Sequence, residues 1–178
     1  MPLKAALAAL LFRVSPTGVV SGADTLLTRT ANVEDVDHFS DSSCIFGLEL
    51  ATVVSTIMVR RRRMASRSVS VYIDNNAAIC ALVAGDSSSS VAARLVGLEW
   101  CIDAVYNITL WFDRVSSAAN IADFPTRGKP PPFPVSEERA LPSVTYRLDF
   151  YNARMQVMLT PEASIHPNGT SPPPYSFR

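Results

Sequence analysis

This 178-residue chain has few cysteines and histidines, no surplus of either charge and no uninterrupted apolar run long enough to span a bilayer. Cys44, Cys80 and Cys101 are too few and too scattered for a disulfide framework or a thiolate zinc site, and each lies in an apolar helical context. They read as buried free thiols, which suits a reducing compartment and an intracellular setting. Lys plus Arg and Asp plus Glu number 16 each, so the net charge is zero. Any surface for a polyanion is therefore a local patch and not a global field. The apolar run over residues 5–12 is too short to span a bilayer, and Arg13 ends it with no small-residue cleavage site close behind. No membrane partner and no secretory signal are expected from it. The Asn-X-Thr triplets at Asn107 and Asn168 then read as chance matches to the glycosylation pattern. No internal repeat is visible.

What is present suits one domain with extensions, and a hydrophobic fraction of 48% is enough for a core. Two short apolar runs, residues 10–14 and 18–22, flank Ser15-Pro-Thr-Gly18 and predict a hairpin. Residues 23–43 are polar and acidic and read as a loop with a short helix. Residues 44–59 are apolar for about four turns, which predicts a helix although its Thr, Val and Ile content pulls toward strand. Arg60, Arg61, Arg62 and Arg63 then sit at the helix end where cations oppose the dipole. Val69, Val71 and Ile73 alternate along a strand, Asn75 or Asn76 caps a helix over 77–84, and Gly85 closes it. After the serine loop at 86–90, the stripe Val91, Leu95, Leu98, Ile102, Val105 predicts another helix. Residues 108–115 form the next strand, with Ile108, Leu110 and Phe112 on one side. A turn at 116–120 leads into a short helix that Pro125 curtails. The predicted organisation is an α/β domain over residues 1–128, a Pro-rich linker over 129–134, and a partly disordered C-terminal extension over 135–178 with one ordered segment at 144–159.

Three carboxylates stand out in this order. Asp74 ends a strand just before a helix, which places it at the carboxyl edge of a sheet, where ligands bind in open α/β folds. Glu49 lies inside an apolar helix, where a buried acid is costly unless something pairs with it. Asp123 follows the last strand. Each has a plainer alternative: Asp74 as a helix cap, Glu49 as a half-exposed helix residue or a partner of nearby arginines, Asp123 as a turn acid. A hard divalent cation such as Mg²⁺, which takes oxygen ligands, would satisfy all three together.

The segments Leu48-Glu-Leu50, Val71-Tyr-Ile-Asp-Asn-Asn-Ala-Ala78, Ala81-Leu-Val-Ala-Gly85, Trp111-Phe-Asp-Arg-Val115 and Asn120-Ile-Ala-Asp-Phe-Pro-Thr-Arg127 resemble, in order and spacing, the ribonuclease H-like domain, most of all the version that follows reverse transcriptase in eukaryotic retroelements. The resemblance covers residues 10–127. It implies a mixed β-sheet flanked by helices with metal-binding acids at one sheet edge. Glu49 matches the helix acid, Asp74 the fourth-strand acid and Asp123 the late acid, as catalytic and metal-binding residues. It also implies two Mg²⁺ or Mn²⁺ ions, roughly 4 Å apart, and hydrolysis of the RNA strand of an RNA–DNA hybrid.

The chain departs from the family at its first strand. The resemblance implies an aspartate before the hairpin, yet residues 1–9 contain no acid. That strand is expected to be missing, or replaced by residues 1–9, and the fold incomplete. Asp24, Glu34, Asp35 and Asp37 come after the hairpin and do not substitute; His38 and His166 do not match the family's loop histidine. Asn75 beside Asp74, and Arg114, Arg127 and Lys129 near the last acid, are the candidates for contacting nucleic acid. Arg60–Arg63 read either as a phosphate grip or, more plainly, as a solvated helix end. Trp111 and Phe112 read as core residues in preference to base-stacking ones. Two functions follow: a metal-dependent ribonuclease H-type nuclease impaired by the absent acid, or a catalytically dead retroelement remnant that binds nucleic acid or protein at most.

Overall fold

In the computed structural model, which describes residues 6–15, 17–31 and 44–141, the chain opens with the expected hairpin. Strands β1 (Ala6–Val14) and β2 (Val20–Thr30) pair antiparallel, with register shifts around Phe12. Their turn is closed by the Gly18 N–H donating to the Ser15 carbonyl at 2.8 Å, with Gly18 at a φ of 78° that favours glycine. The strand continues where a loop is expected, through residues 23–30. Ala23, Thr25 and Leu27 are all buried at period two, but a threonine in the middle and the adjacent Leu26 disguise that alternation. Residues 32–43, with the acids of the expected loop and His38, lie outside the described residues.

Helix α1 (Cys44–Met64) runs past the predicted end and takes in the four arginines. Its β-branched content is accommodated because the Thr52 and Thr56 hydroxyls donate to the carbonyls of Leu48 and Thr52, at 2.8 and 2.7 Å, within the helix. Its buried residues Leu50, Val54 and Ile57 join the core. Then come β3 (Ser68–Ile73), α2 (Asn76–Ala84), α3 (Ser90–Tyr106) and β4 (Thr109–Arg114). β3 and β4 pair in parallel from Ser68↔Thr109 to Ile73↔Arg114, with the two helices as the crossover that a parallel pair requires. Gly85, at a φ of 75°, caps α2, and the Ser89 hydroxyl caps α3. The buried residues of α3 are Ala92, Leu95, Val96, Leu98, Glu99 and Ile102, so Val105 drops out of the expected stripe and is exposed. Phe112 packs against the core as expected, whereas Trp111 points outward because the pleat turns successive side chains to opposite faces. Cys44 and Cys101 are partly buried, and Cys80 is exposed on α2, correcting the expectation of three buried thiols.

A 3₁₀ turn (Ser117–Ala119) leads to the short helix α4 (Asp123–Thr126), which packs against β1. Residues 135–141, expected as the start of the C-terminal extension, pair with β2 instead. Strand β5 (Glu138–Ala140) runs parallel to it, and Leu141 is buried. Ala23 and Leu26 donate to the carbonyls of Pro134 and Glu137, and Ser136 and Leu141 donate to those of Ala23 and Thr28. Gly22 permits the approach, since a Cβ there would meet the Pro134 carbonyl oxygen at 2.9 Å. The result is an α/β arrangement with a small mixed sheet, β1-β2-β5, a parallel pair, β3-β4, and flanking helices. Leu7 and Leu11 of β1 and Val69 and Val71 of β3 pack on the same cluster as α1, α2 and α3. Residues 142–178, including the expected ordered segment at 144–159, lie outside the described residues.

Candidate functional site

The carboxyl end of the parallel pair is where the candidate residues gather. β3 delivers Asp74 directly after Ile73, and the register sets Arg114, at the end of β4, alongside. Asp74 does not cap α2. The cap is Asn75, whose side-chain oxygen accepts from the backbone N–H groups of Ala77 and Ala78, at 2.9 and 3.2 Å. Glu49 lies in the second turn of α1, between buried Leu48 and Leu50. Asp123 opens α4 and is held by Arg127 one turn on, at 2.7 Å. Glu49, Asp74 and Asp123 are all half-buried.

The electrostatics of Glu49 tie the three acids together. Its pKa is raised from 4.5 to about 7, first by burial, then by the negative charge of Asp74, and further by that of Asp123; a hydrogen bond from the Asn75 side chain opposes the rise. Glu49 Oε2 is buried and has no hydrogen-bond partner. An acid crowded by two like charges, with one oxygen unsatisfied, has the donor chemistry of a hard-cation site. The side chains do not close into a finished ligand shell: among the described residues, no group of three or more His, Cys, Asp or Glu is placed to hold an ion.

The other sequence candidates divide. Asn75 is committed to the cap and to Glu49. Arg127 is paired with Asp123. Arg114 and Lys129 are exposed. Residues 6–9, a possible replacement for the first strand, belong to β1 of the hairpin.

Two groups stand differently from the sequence reading. Glu99 is 1% exposed and hydrogen-bonds Asp103 one turn on. Burial raises both acids, Glu99 to about 8 and Asp103 to about 6, and the hydrogen bond lifts the first while lowering the second. Burial and the neighbouring carboxylate thus favour the protonated form of Glu99. The available signal was positional, because Glu99 lies four residues after Leu95 and three before Ile102, inside the apolar stripe. The second group is Arg60, which is buried against Glu137 and not solvated at a helix end. No helix among the described residues is long and apolar enough to cross a membrane. No protein-family model, curated protein or solved structure matches the chain.

Proposed function

We propose that this chain is a retroelement-derived ribonuclease H-like domain built for metal-dependent hydrolysis of RNA in RNA–DNA hybrids. The observation that supports the reading is the grouping of Glu49, Asp74 and Asp123, three acids from three separate elements, in one electrostatic neighbourhood at the carboxyl end of a parallel strand pair. Their donor set fits Mg²⁺ or Mn²⁺, and the orphaned Glu49 Oε2 is the atom such an ion would satisfy. Divalent cations held by these carboxylates would supply activation of the attacking water and charge to stabilise the departing oxygen.

The chain's own residues have defined parts in this reading. Asn75 holds the Glu49 carboxylate in place from the start of α2. Glu49, whose pKa is raised to about 7, would give up its proton on holding a cation. Arg127 fixes Asp123, and exposed Arg114 stands at the strand end beside Asp74, where a backbone phosphate would approach. The alternative, a catalytically dead remnant that binds nucleic acid or a protein partner, is favoured by one observation: the acids do not form a closed ligand cluster.

The test is cleavage of a labelled RNA–DNA hybrid in Mg²⁺ by the purified chain and by its Asp74→Asn variant. Weak, Mg²⁺-dependent cleavage that disappears in D74N is expected. Equal cleavage by both proteins would assign it to a contaminant and remove the nuclease reading. Hybrid binding without cleavage by either would leave the remnant.

A further inference from the structure

At the far end of α1, about 16 Å along the helix from Glu49, a second charged centre is built from different elements. Arg60 is 4% exposed. A cation so deeply placed is costly unless it is paired. Its partner is Glu137, carried in by the segment after the Pro-rich stretch: Arg60 Nη2 donates to Glu137 Oε2 at 3.0 Å. The same oxygen lies 3.7 Å from Arg63 and 3.5 Å from the Thr25 hydroxyl, while Arg139 binds the other oxygen. Arg63 and Arg13 also share Asp24. Four arginines thus face two carboxylates.

Glu137 Oε2 takes one full hydrogen bond, from Arg60, with Thr25 and Arg63 at longer range, and Arg60 Nε, also buried, has no partner. Four guanidinium groups against two carboxylates leave a surplus of positive charge, and the Arg60 fork is not fully used. A tetrahedral oxyanion offers more oxygens in the geometry that guanidinium groups bind bidentately. The segment bearing Glu137 lies on a sheet edge. A three-residue ladder on β2, four further backbone hydrogen bonds, buried Leu141 and one Phe12–Phe133 edge contact at 5.2 Å hold it, so its displacement opens one side of one small sheet.

We propose that Arg60, Arg63 and Thr25 form a binding site for a phosphate group, and that Glu137 fills it from within the chain, so that the strap over β2 and a phosphate-bearing ligand compete. The site uses none of the three acids and stands independently of the nuclease reading.

The test is thermal unfolding of the full chain and of Glu137→Gln in chloride, inorganic phosphate and pyrophosphate at matched ionic strength. E137Q removes the counter-charge of Arg60, so phosphate or pyrophosphate is expected to raise its midpoint by about 3 °C or more over chloride, and to shift the unaltered chain less. The response is expected to vanish in the double variant E137Q/R60Q and to persist in E137Q/D74N, which separates this site from the acidic one. Should E137Q not fold in chloride, refolding yield in phosphate against chloride reads the same comparison. A short single-stranded oligonucleotide is the second probe. A response to pyrophosphate assigns free phosphates as ligand, and a response confined to the oligonucleotide and lost in E137Q/R60Q assigns phosphodiesters. No added shift over chloride with any probe, or a shift that survives loss of Arg60, overturns the proposal.

Discussion

Asn75 joins the start of α2 to Glu49: its side-chain oxygen caps the helix while its side chain hydrogen-bonds the Glu49 carboxylate. One residue thereby sets both the local end of a helix and the position of an acid 26 positions earlier. Replacing it by alanine removes a cap, which costs about 1 kcal/mol. It also removes the one interaction that holds the Glu49 pKa down, so that pKa is expected to rise above about 7. Denaturant unfolding and a carboxyl NMR titration check the two effects. An Asn75→Ala protein with unchanged stability and an unchanged Glu49 titration would show the link to be idle.

Stability is expected to fall as pH rises. Glu49 and Glu99 both have folded pKa values, about 7 and about 8, above the ordinary 4.5. The native state therefore keeps protons that the unfolded chain has released. The associated stability is complete below about pH 4.5 and is lost as pH climbs through the folded values, with a slope of at most about 1.4 kcal/mol per pH unit for each group. Glu99→Gln keeps a donor for Asp103 and removes the raised acid, so its stability profile is expected to be flatter between pH 5 and 9. Chemical denaturation across that range is the measurement, and a profile as steep as that of the unaltered chain would contradict it.

Mg²⁺ binding should follow the same acid. A cation needs Glu49 ionised, so apparent affinity is expected to increase through about pH 7 with proton release. Calorimetry in two buffers of different ionisation enthalpy reads that release directly. Glu49→Gln is expected to bind Mg²⁺ more weakly and without a pH step near neutrality. Binding that is indifferent to pH and to E49Q would place any ion elsewhere.

Gly85 tests the packing of α2 against α3. Its φ of 75° is unfavourable for any residue with a Cβ, and a Cβ there would stand 2.9 Å from the ring of Trp100. The same ring donates through Nε1 to the Leu82 carbonyl at 3.2 Å and is not free to withdraw. Gly85→Ala is expected to destabilise by roughly 2 kcal/mol, from the left-handed backbone and the clash together. In a Trp100→Ala background the clash component should disappear, leaving a smaller difference. Equal effects of G85A in both backgrounds would mean that the ring gives way.

Local elements were legible wherever a residue's neighbours in sequence are also its neighbours in space. The Ser15–Gly18 turn, the Asn75 and Gly85 caps and the alternation of Val69, Val71 and Ile73 each depend on contacts within a few positions. The extension of β2 through Thr30 was hidden because Thr25, polar but buried, broke the apolar pattern. The pairing of residues 138–140 with β2 was hidden because it joins segments more than a hundred positions apart.

The candidacy of Glu49, Asp74 and Asp123 came from sequence, since an acid in an apolar helix and an acid at a strand end are visible in one dimension. That their charges act on one another was decided only when α1, the end of β3 and α4 were packed around a common core. The same holds for Arg60, which sequence showed as one of four arginines at a helix end. Its burial against Glu137 depends on a returning strand that no local pattern specifies. Propensity and periodicity act over a few residues, whereas desolvation and Coulomb interaction depend on distance in space, and only the folded chain sets those distances.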